Sequence, residues 1–197
     1  MDNKEFLKKS FPFILFVVVL VLIFKDYDTG LKRDEFGSII TGGTLPWYSL
    51  LIGDCFNDLN PEEVKKLTEN LDLNLLDDAV EVTYVSAVPC KMLHNNEVTA
   101  KSENLFFDLN NFPSSEELEK RIVDFCEPKL DEYLGFDNSL SVYEKINLSL
   151  DKNLSEYFQF FFPLESAWNS GDRSVICLLY SEIGIENSHR DLFKKYN

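Results

Sequence analysis

The sequence contains no CxxC pair, although it has four cysteines, Cys55, Cys90, Cys126 and Cys177. The usual ligand spacing of a structural zinc site is therefore missing. Basic residues are also scarce, because 19 Lys and Arg stand against 34 Asp and Glu, and the formal net charge is −15. A chain this acidic repels nucleic acid, so we expect no DNA or RNA partner.

Near the amino terminus, the fifteen residues from Ser10 to Phe24 carry no charge and are almost all apolar. A helix of this length covers roughly 22 Å, which is short for a hydrocarbon core of about 30 Å. Snorkelling lysines at both ends lengthen such a span, and no small-residue cleavage pattern follows it. We interpret residues 10–25 as an uncleaved transmembrane signal anchor in the cytoplasmic membrane.

The cysteines predict the orientation of this anchor, since the flanking basic residues are evenly divided between its two sides. All four cysteines follow the anchor, and they are even in number. Two disulfides in an oxidising compartment are therefore expected. The prediction is a single-pass cell-membrane protein with a cytoplasmic N-terminus (1–9), a tether (26–46) and an extracytoplasmic domain (47–197).

Four cysteines allow three pairings, and the sequence alone does not choose among them. We favour Cys55–Cys90, which would join the loop after "LLIGDC" to the end of a strand. The other bond would then be Cys126–Cys177, which would join a helix to the last strand. Loop-closure entropy gives each bond roughly 4 kcal/mol of stabilisation.

Alternating apolar residues predict several strands. The stretch "VEVTYVSAV" (80–88) alternates and ends before Pro89, which is typical of a strand. The following "NEVTAKSENLF" (96–106) is predicted to pair back with it. Three further strands are predicted in "SLSVYEKINLSL" (139–150), "SEYFQFFFPL" (155–164) and "SVICLLYSEI" (174–183).

Capping residues predict the helices. Ser114 with Glu117 fits a capping box, and Gly135 fits a C-terminal cap, so a helix should lie between them. Pro128 is expected to break or kink this helix near Cys126. A shorter helix is predicted at 60–69, with its first residue as N-cap. The apolar stripe of the long helix comprises Leu118, Ile122, Phe125 or Cys126, Leu130, Tyr133 and Leu134.

Few helices and several neighbouring strands predict an α+β fold. We expect a mainly antiparallel sheet with one or two packed helices and two disulfides. One N-terminal transmembrane helix would precede this domain.

The first candidate site combines His94 and Glu97, with Asp54 near them if Cys55 bonds Cys90. These three polar groups would suit the acid–base chemistry of a wall-modifying hydrolase. Cys90 with His94 would alternatively suit a metal-binding sensor. We favour a structural role, in which His94 and Glu97 hydrogen-bond the turn, because no nucleophile or metal is indicated.

The second candidate site is "WNSGDR", the turn before the last predicted strand. Asp172 and Arg173 lie where the strand begins, and an arginine there can bind carbonyl oxygens or a carboxylate in a fixed geometry. Trp168 is expected to pack over a disulfide or the sheet. A structural role is favoured here too, with binding as the alternative.

Several motifs occur together in one order along the chain. They are "GDC" (53–55), "VPCKMLHNNEV" (88–98), the helical Cys126 and "PLESAWNSGDRSVIC" (163–177). In this combination and order they resemble the septum formation family of actinobacterial membrane-anchored proteins. The resemblance covers roughly residues 53–180.

The resemblance implies an exported, anchored and disulfide-bonded domain of a Gram-positive actinobacterium. The family's name implies an association with septum formation or cell division, and it implies no catalytic chemistry. We therefore expect a non-enzymatic interaction protein of the cell envelope that has no cofactor or metal. Its expected partner is another envelope or division protein, or a cell-wall component.

Overall fold

The computed structural model describes residues 30–60, 62–63, 84–137, 139–151 and 158–194. The predicted anchor at 10–25 lies outside these residues. Within the described ranges, no helix is long and apolar enough to cross a membrane.

Antiparallel strands form the centre of the described structure. A hairpin comes first, and a larger sheet of six strands follows. The hairpin consists of β1 (Lys32–Arg33) and β2 (Ile39–Thr41), and the sheet of β3 (Gly43–Pro46), β4 (Cys55–Asn57), β5 (Tyr84–Val88), β6 (His94–Ser102), β7 (Phe158–Phe161) and β8 (Val175–Ile185). The sheet has the strand order β3–β5–β4–β6–β8–β7, and all of its pairings are antiparallel.

Three helices accompany the sheet in the described part of the chain, namely α1 (Ser115–Leu134), α2 (Val142–Asp151) and the short α3 (Glu165–Asn169). Helix α1 begins where the Ser114 side chain accepts a hydrogen bond from the Glu117 amide. It ends at Gly135, whose left-handed conformation (φ 75°) caps the last turn.

The core is divided between the two faces of the sheet. On one face, Phe56, Val98 and Ile176 belong to an apolar cluster with residues of the first strands. On the other face, α1 packs through Ile122 and Cys126 in a second cluster. Strand β6 is buried along most of its length because both clusters cover it, and it is from this strand that the candidate site residues project.

Two disulfides join these elements. They are Cys55–Cys90 and Cys126–Cys177, which confirms the predicted pairing. The first joins β4 to the turn after β5, and the second joins α1 to β8. The predicted combination of an antiparallel sheet, few helices and two disulfides is confirmed as well.

The segment 31–46 differs from the predicted tether. Its compact unit begins at Leu31, strand β3 pairs with β5 in the sheet, and Ile39 and Leu45 are buried in the core. The sequence of this segment looks polar because only a few of its side chains face inward. The prediction that the folded domain begins at Trp47 thus places the boundary about one hairpin and one strand too late.

The predicted strand at 139–150 is wrong, because this stretch forms the helix α2. The reason is a capping box: the Glu144 carboxylate accepts hydrogen bonds from the Ser141 amide and hydroxyl, at 2.8 and 2.7 Å. Of the break or kink expected at Pro128, the break does not occur, since α1 continues through this residue to Leu134. A buried face and a disulfide hold α1 against the sheet on both sides of that proline, which offsets its lost amide hydrogen bond.

Candidate functional site

The centre of the candidate site is the carboxylate of Glu97, a side chain with 0% exposure on strand β6. It accepts a hydrogen bond from the Tyr133 hydroxyl at 2.5 Å and another from the Ser188 hydroxyl. The backbone amide of His189 donates to its second oxygen at 2.9 Å. A buried carboxylate held by this many donors is fixed in position and internally compensated.

These donors determine the ionisation of the cluster. Burial by itself raises the pKa of Glu97, but the hydrogen bonds from His189, Ser188 and Tyr133 outweigh it, so this pKa lies below its ordinary value. Burial and the neighbouring Glu97 charge raise the pKa of Tyr133. Glu97 is therefore a carboxylate at neutral pH, and Tyr133 is a neutral donor.

His94 lies at the start of the same strand and is also buried, with 0% exposure. Its Nδ1–H donates to the carbonyl oxygen of Met92 at 2.7 Å, because a carbonyl can only accept. Nε2 is left without a hydrogen-bond partner among the described residues. Burial lowers the pKa of His94, so the imidazole is neutral.

Asp54 does not share a site with Glu97 through its side chain, which is paired elsewhere. Its carboxylate forms two hydrogen bonds of 2.6 Å with the guanidinium of Arg33 and accepts a third from the Leu51 amide. The Asp54 side chain is buried, with 4% exposure, and its hydrogen bond raises the pKa of Arg33. The pair fastens the β1–β2 hairpin to the loop before β4.

The three candidate acid–base groups of the hydrolase alternative are thus all buried. For the metal-binding alternative, the cysteine that lies near His94 is Cys55 and not the predicted Cys90. Ligand atoms of Cys55, His94 and Glu97 lie within 4.8 Å of one another, with the Cys55 sulfur engaged in the first disulfide.

The "WNSGDR" turn forms a second, separate set of contacts. Trp168 is buried with Phe106 in the cluster that contains the second disulfide, and the guanidinium carbon of Arg173 lies 3.5 Å from its ring centroid. Arg173 donates to the carbonyl oxygens of Trp168 and Asp172, both at 2.7 Å. The Asp172 carboxylate accepts from the amide and hydroxyl of Ser174. These contacts agree with the structural interpretation of this turn.

An open pocket of about 440 Å³ is lined by residues of α1 and β6 and by Arg190 and Asp191 of the C-terminal turn. Its apolar lining includes Ile52, Ala100 and Phe125, and Tyr133, whose hydroxyl binds Glu97, lines it as well. The guanidinium of Arg190 lies over the ring of Tyr133, 5.0 Å from the centroid.

Most of the charged groups around this pocket are paired. Lys101 pairs with Glu103 at 2.9 Å and Lys129 with Glu132 at 2.7 Å. Asp191, which also lines the pocket, lies 3.4 Å from Lys194. Arg190 differs, since it forms no ion pair with any residue that the structure describes. Among the described residues, Arg190 is therefore the charged group in this pocket that has no ion-pair partner.

Gly53 of the "GDC" motif makes room for this arginine. Its φ of +92° favours glycine, and a Cβ atom at this position would lie 3.1 Å from Nη2 of Arg190. The three residues of the motif thus have separate structural roles. Gly53 leaves space for the guanidinium of Arg190, Asp54 binds Arg33, and Cys55 forms the first disulfide.

Sequence reasoning missed five contributors to these sites, namely Arg33, Tyr133, Ser188, His189 and Arg190 as partners of the predicted residues. Tyr133 is predicted only as part of an apolar stripe, and its hydroxyl carries no pattern in the sequence. The residues from 188 to 190 reach Glu97 and Tyr133 across more than fifty positions of the chain. Only His189 could have been noticed in the sequence as a candidate site residue, because the chain has just two histidines.

Comparison with known proteins finds no family model, no curated protein and no solved structure that matches this chain. The resemblance to the septum formation family stays a prediction from the motifs.

Lowering the pH should destabilise this domain already above about pH 5, before the pH reaches the ordinary pKa range of carboxylates. Because the pKa of His94 is lowered by burial, the unfolded chain takes up a proton below about pH 6.5 while the folded chain does not. The free energy of unfolding should then fall by up to about 1.4 kcal/mol per pH unit, until the pH reaches the folded pKa. Glu97, whose folded pKa is depressed, adds a second loss as pH falls through that pKa.

Urea unfolding between pH 8 and pH 4 measures this loss. His94→Gln should be less stable at pH 8 but should remove the slope between pH 7 and pH 5, whereas the loss at lower pH should remain. Glu97 and His189 are the titratable groups that act on His94. A wild-type stability that is constant from pH 8 to pH 5 would contradict a buried neutral imidazole.

Proposed function

We propose that this chain is a non-catalytic interaction protein of the bacterial cell envelope, associated with septum formation. In this proposal residues 10–25 anchor it in the cytoplasmic membrane, and the disulfide-bonded domain lies outside. The two disulfides support export, because such bonds form and persist in oxidising compartments. The ordered motifs support the association with septation.

The burial of the polar groups supports a binding role over catalysis. Glu97 and His94 are closed off from solvent, and the carboxylate of Asp54 is held by Arg33. A general acid or base must come within hydrogen-bond reach of its substrate. In this arrangement Glu97 instead fixes the hydroxyl of Tyr133, whose ring lines an open pocket.

The observation that carries the proposal is Arg190 in that pocket. In a chain of net charge −15, its guanidinium has no carboxylate partner among the described residues and lies beside apolar walls. A guanidinium binds a carboxylate through two parallel hydrogen bonds. We infer that the pocket takes the carboxylate end of a peptide, with an apolar side chain against Ile52 and Phe125.

The carboxylate of a peptide provides the direct test. The full chain in detergent is titrated with a fluorescent peptide, N-acetyl-Ala-Ala-Leu with a free C-terminal carboxylate, and with its C-terminal carboxamide. A charge-assisted hydrogen-bonded pair contributes about 1.5–3 kcal/mol, so the carboxamide should bind about 10- to 150-fold more weakly. Arg190→Ala should weaken the binding of the carboxylate peptide by the same factor and should leave the affinity for the carboxamide peptide unchanged.

A matched control is Arg121→Ala. Arg121 lies on α1 but pairs with Asp108 and Glu117 on its exposed surface, so its loss should not change peptide affinity. Equal binding of the two peptides, or an Arg190→Ala variant that binds like wild type, would overturn the carboxylate site. Cleavage of the peptide during the titration would contradict the non-catalytic assignment.

A further inference from the structure

The buried Nε2 of His94 points to a ligand. Since Nδ1–H donates to Met92, Nε2 carries the lone pair, and no described residue donates to it. A buried acceptor without a donor costs free energy. A neutral imidazole whose other nitrogen is fixed by a carbonyl oxygen is also the usual state of a metal-binding histidine.

Two further ligand groups lie beside this imidazole, namely Sγ of Cys55 and the carboxylate of Glu97. A ring nitrogen of His94, Sγ of Cys55 and a carboxylate oxygen of Glu97 lie within 4.8 Å of one another, and all three residues have 0% exposure. Thiolate, imidazole and carboxylate are the ligands that zinc accepts in tetrahedral sites. While Cys55 is bonded to Cys90, however, its sulfur is not a thiolate and the set is incomplete.

The two ends of this disulfide differ in access. Cys55 is fully buried, whereas Cys90 is partly exposed in the turn after β5. A dithiol would therefore attack Sγ of Cys90 and release the sulfur of Cys55 as the leaving group. The released thiolate would lie beside the Glu97 carboxylate, and two buried negative charges are unfavourable unless a cation compensates them.

We propose that the Cys55–Cys90 disulfide gates a zinc site made by Cys55, His94 and Glu97. A dithiol supplies two electrons and is oxidised to its disulfide, while Cys55 and Cys90 become thiols. Zinc then replaces the thiol proton of Cys55, which is released to solvent. Cys55, His94 and Glu97 thus supply three ligands of a tetrahedral zinc site. Glu97 also binds the hydroxyl of Tyr133, which lines the peptide pocket, but this inference does not rest on peptide binding there.

Two serine variants separate the site from a general effect of losing the bond. Cys90→Ser and Cys55→Ser both remove the same disulfide, but only Cys90→Ser leaves a thiol beside His94. The full chain in detergent is titrated with zinc, and with cobalt to detect the thiolate charge-transfer band. Cys90→Ser should bind one zinc without reductant, and Cys55→Ser should bind it more than about 100-fold more weakly, beyond the usual effect of outer-shell changes.

Wild-type protein gives a second measurement that does not depend on the folding of either variant. Oxidised protein should bind no zinc at this site. After reduction with a phosphine, which is then removed under nitrogen, it should bind one zinc, and zinc should raise its melting temperature. Equal zinc affinity of the two serine variants, or a reduced wild type whose melting temperature zinc does not change, would overturn the proposal.

Discussion

The double variant Cys126→Ala/Cys177→Ala should lose about 4 kcal/mol of unfolding free energy, from the loop-closure entropy of the bond that joins these positions. The bond spans a sequence separation of 51 residues and joins the middle of α1 to β8. Both sulfurs lie in the buried cluster around Trp168, so alanine also leaves a small cavity there. The melting temperature should fall by about 8–16 °C for a domain of this size.

The matching variant at the first disulfide, Cys55→Ala/Cys90→Ala, removes a bond that closes a shorter loop, with a sequence separation of 35 residues. From loop-closure entropy alone this variant should lose nearly as much unfolding free energy, because the entropy grows only with the logarithm of loop length.

Alkylation of the full chain taken from cells, without reductant, should modify none of the four cysteines. A loss below about 1 kcal/mol at Cys126–Cys177 would mean that apolar packing alone holds α1 to the sheet.

The parts of the fold that depend on local chemistry are the parts that the sequence predicted best. Helix α1 begins at Ser114 and ends at Gly135 because caps act within four residues of a helix end. Strand β8 is predictable from its continuous apolar run. The disulfide pairing was a preference among the three that the sequence allows, and a place for Cys126 on the apolar stripe of α1 is what a helix-to-sheet bond requires.

The secondary structure was predicted wrongly where two local sequence patterns favour different elements. In "SLSVYEKINLSL" the apolar residues suit a strand, yet the Ser141 and Glu144 capping box starts a helix. The Val142–Asp151 helix shows that the cap was the stronger indication.

The site itself depends on contacts between distant segments, which no local pattern records. The sequence singled out Glu97, but its donors come from α1 and from the C-terminal turn. Asp54 was selected as a neighbour of His94, whereas its partner is Arg33 in a segment taken for a tether. A buried charge requires a partner, and the sequence does not say which of 19 basic residues provides it.

Arg33→Ala should cost about 3 kcal/mol of unfolding free energy, near the lower end of the effect of breaking a buried ion pair. Its guanidinium binds Asp54 through two hydrogen bonds of 2.6 Å, and alanine would leave that buried carboxylate without its cation. The lower end applies because the Arg33 side chain is 21% exposed, so water can partly replace it. Urea unfolding at pH 7 measures the loss.

Two variants show whether the loss comes from the unpaired carboxylate. Lys32→Ala changes the exposed neighbour and should stay within about 0.5 kcal/mol of wild type. Adding Asp54→Asn to Arg33→Ala should recover part of the stability, because a neutral amide needs no counter-charge. If Arg33→Ala instead cost less than about 1 kcal/mol, like an exposed ion pair, residues 31–46 would contribute little to the fold and would behave as the tether that their composition suggests.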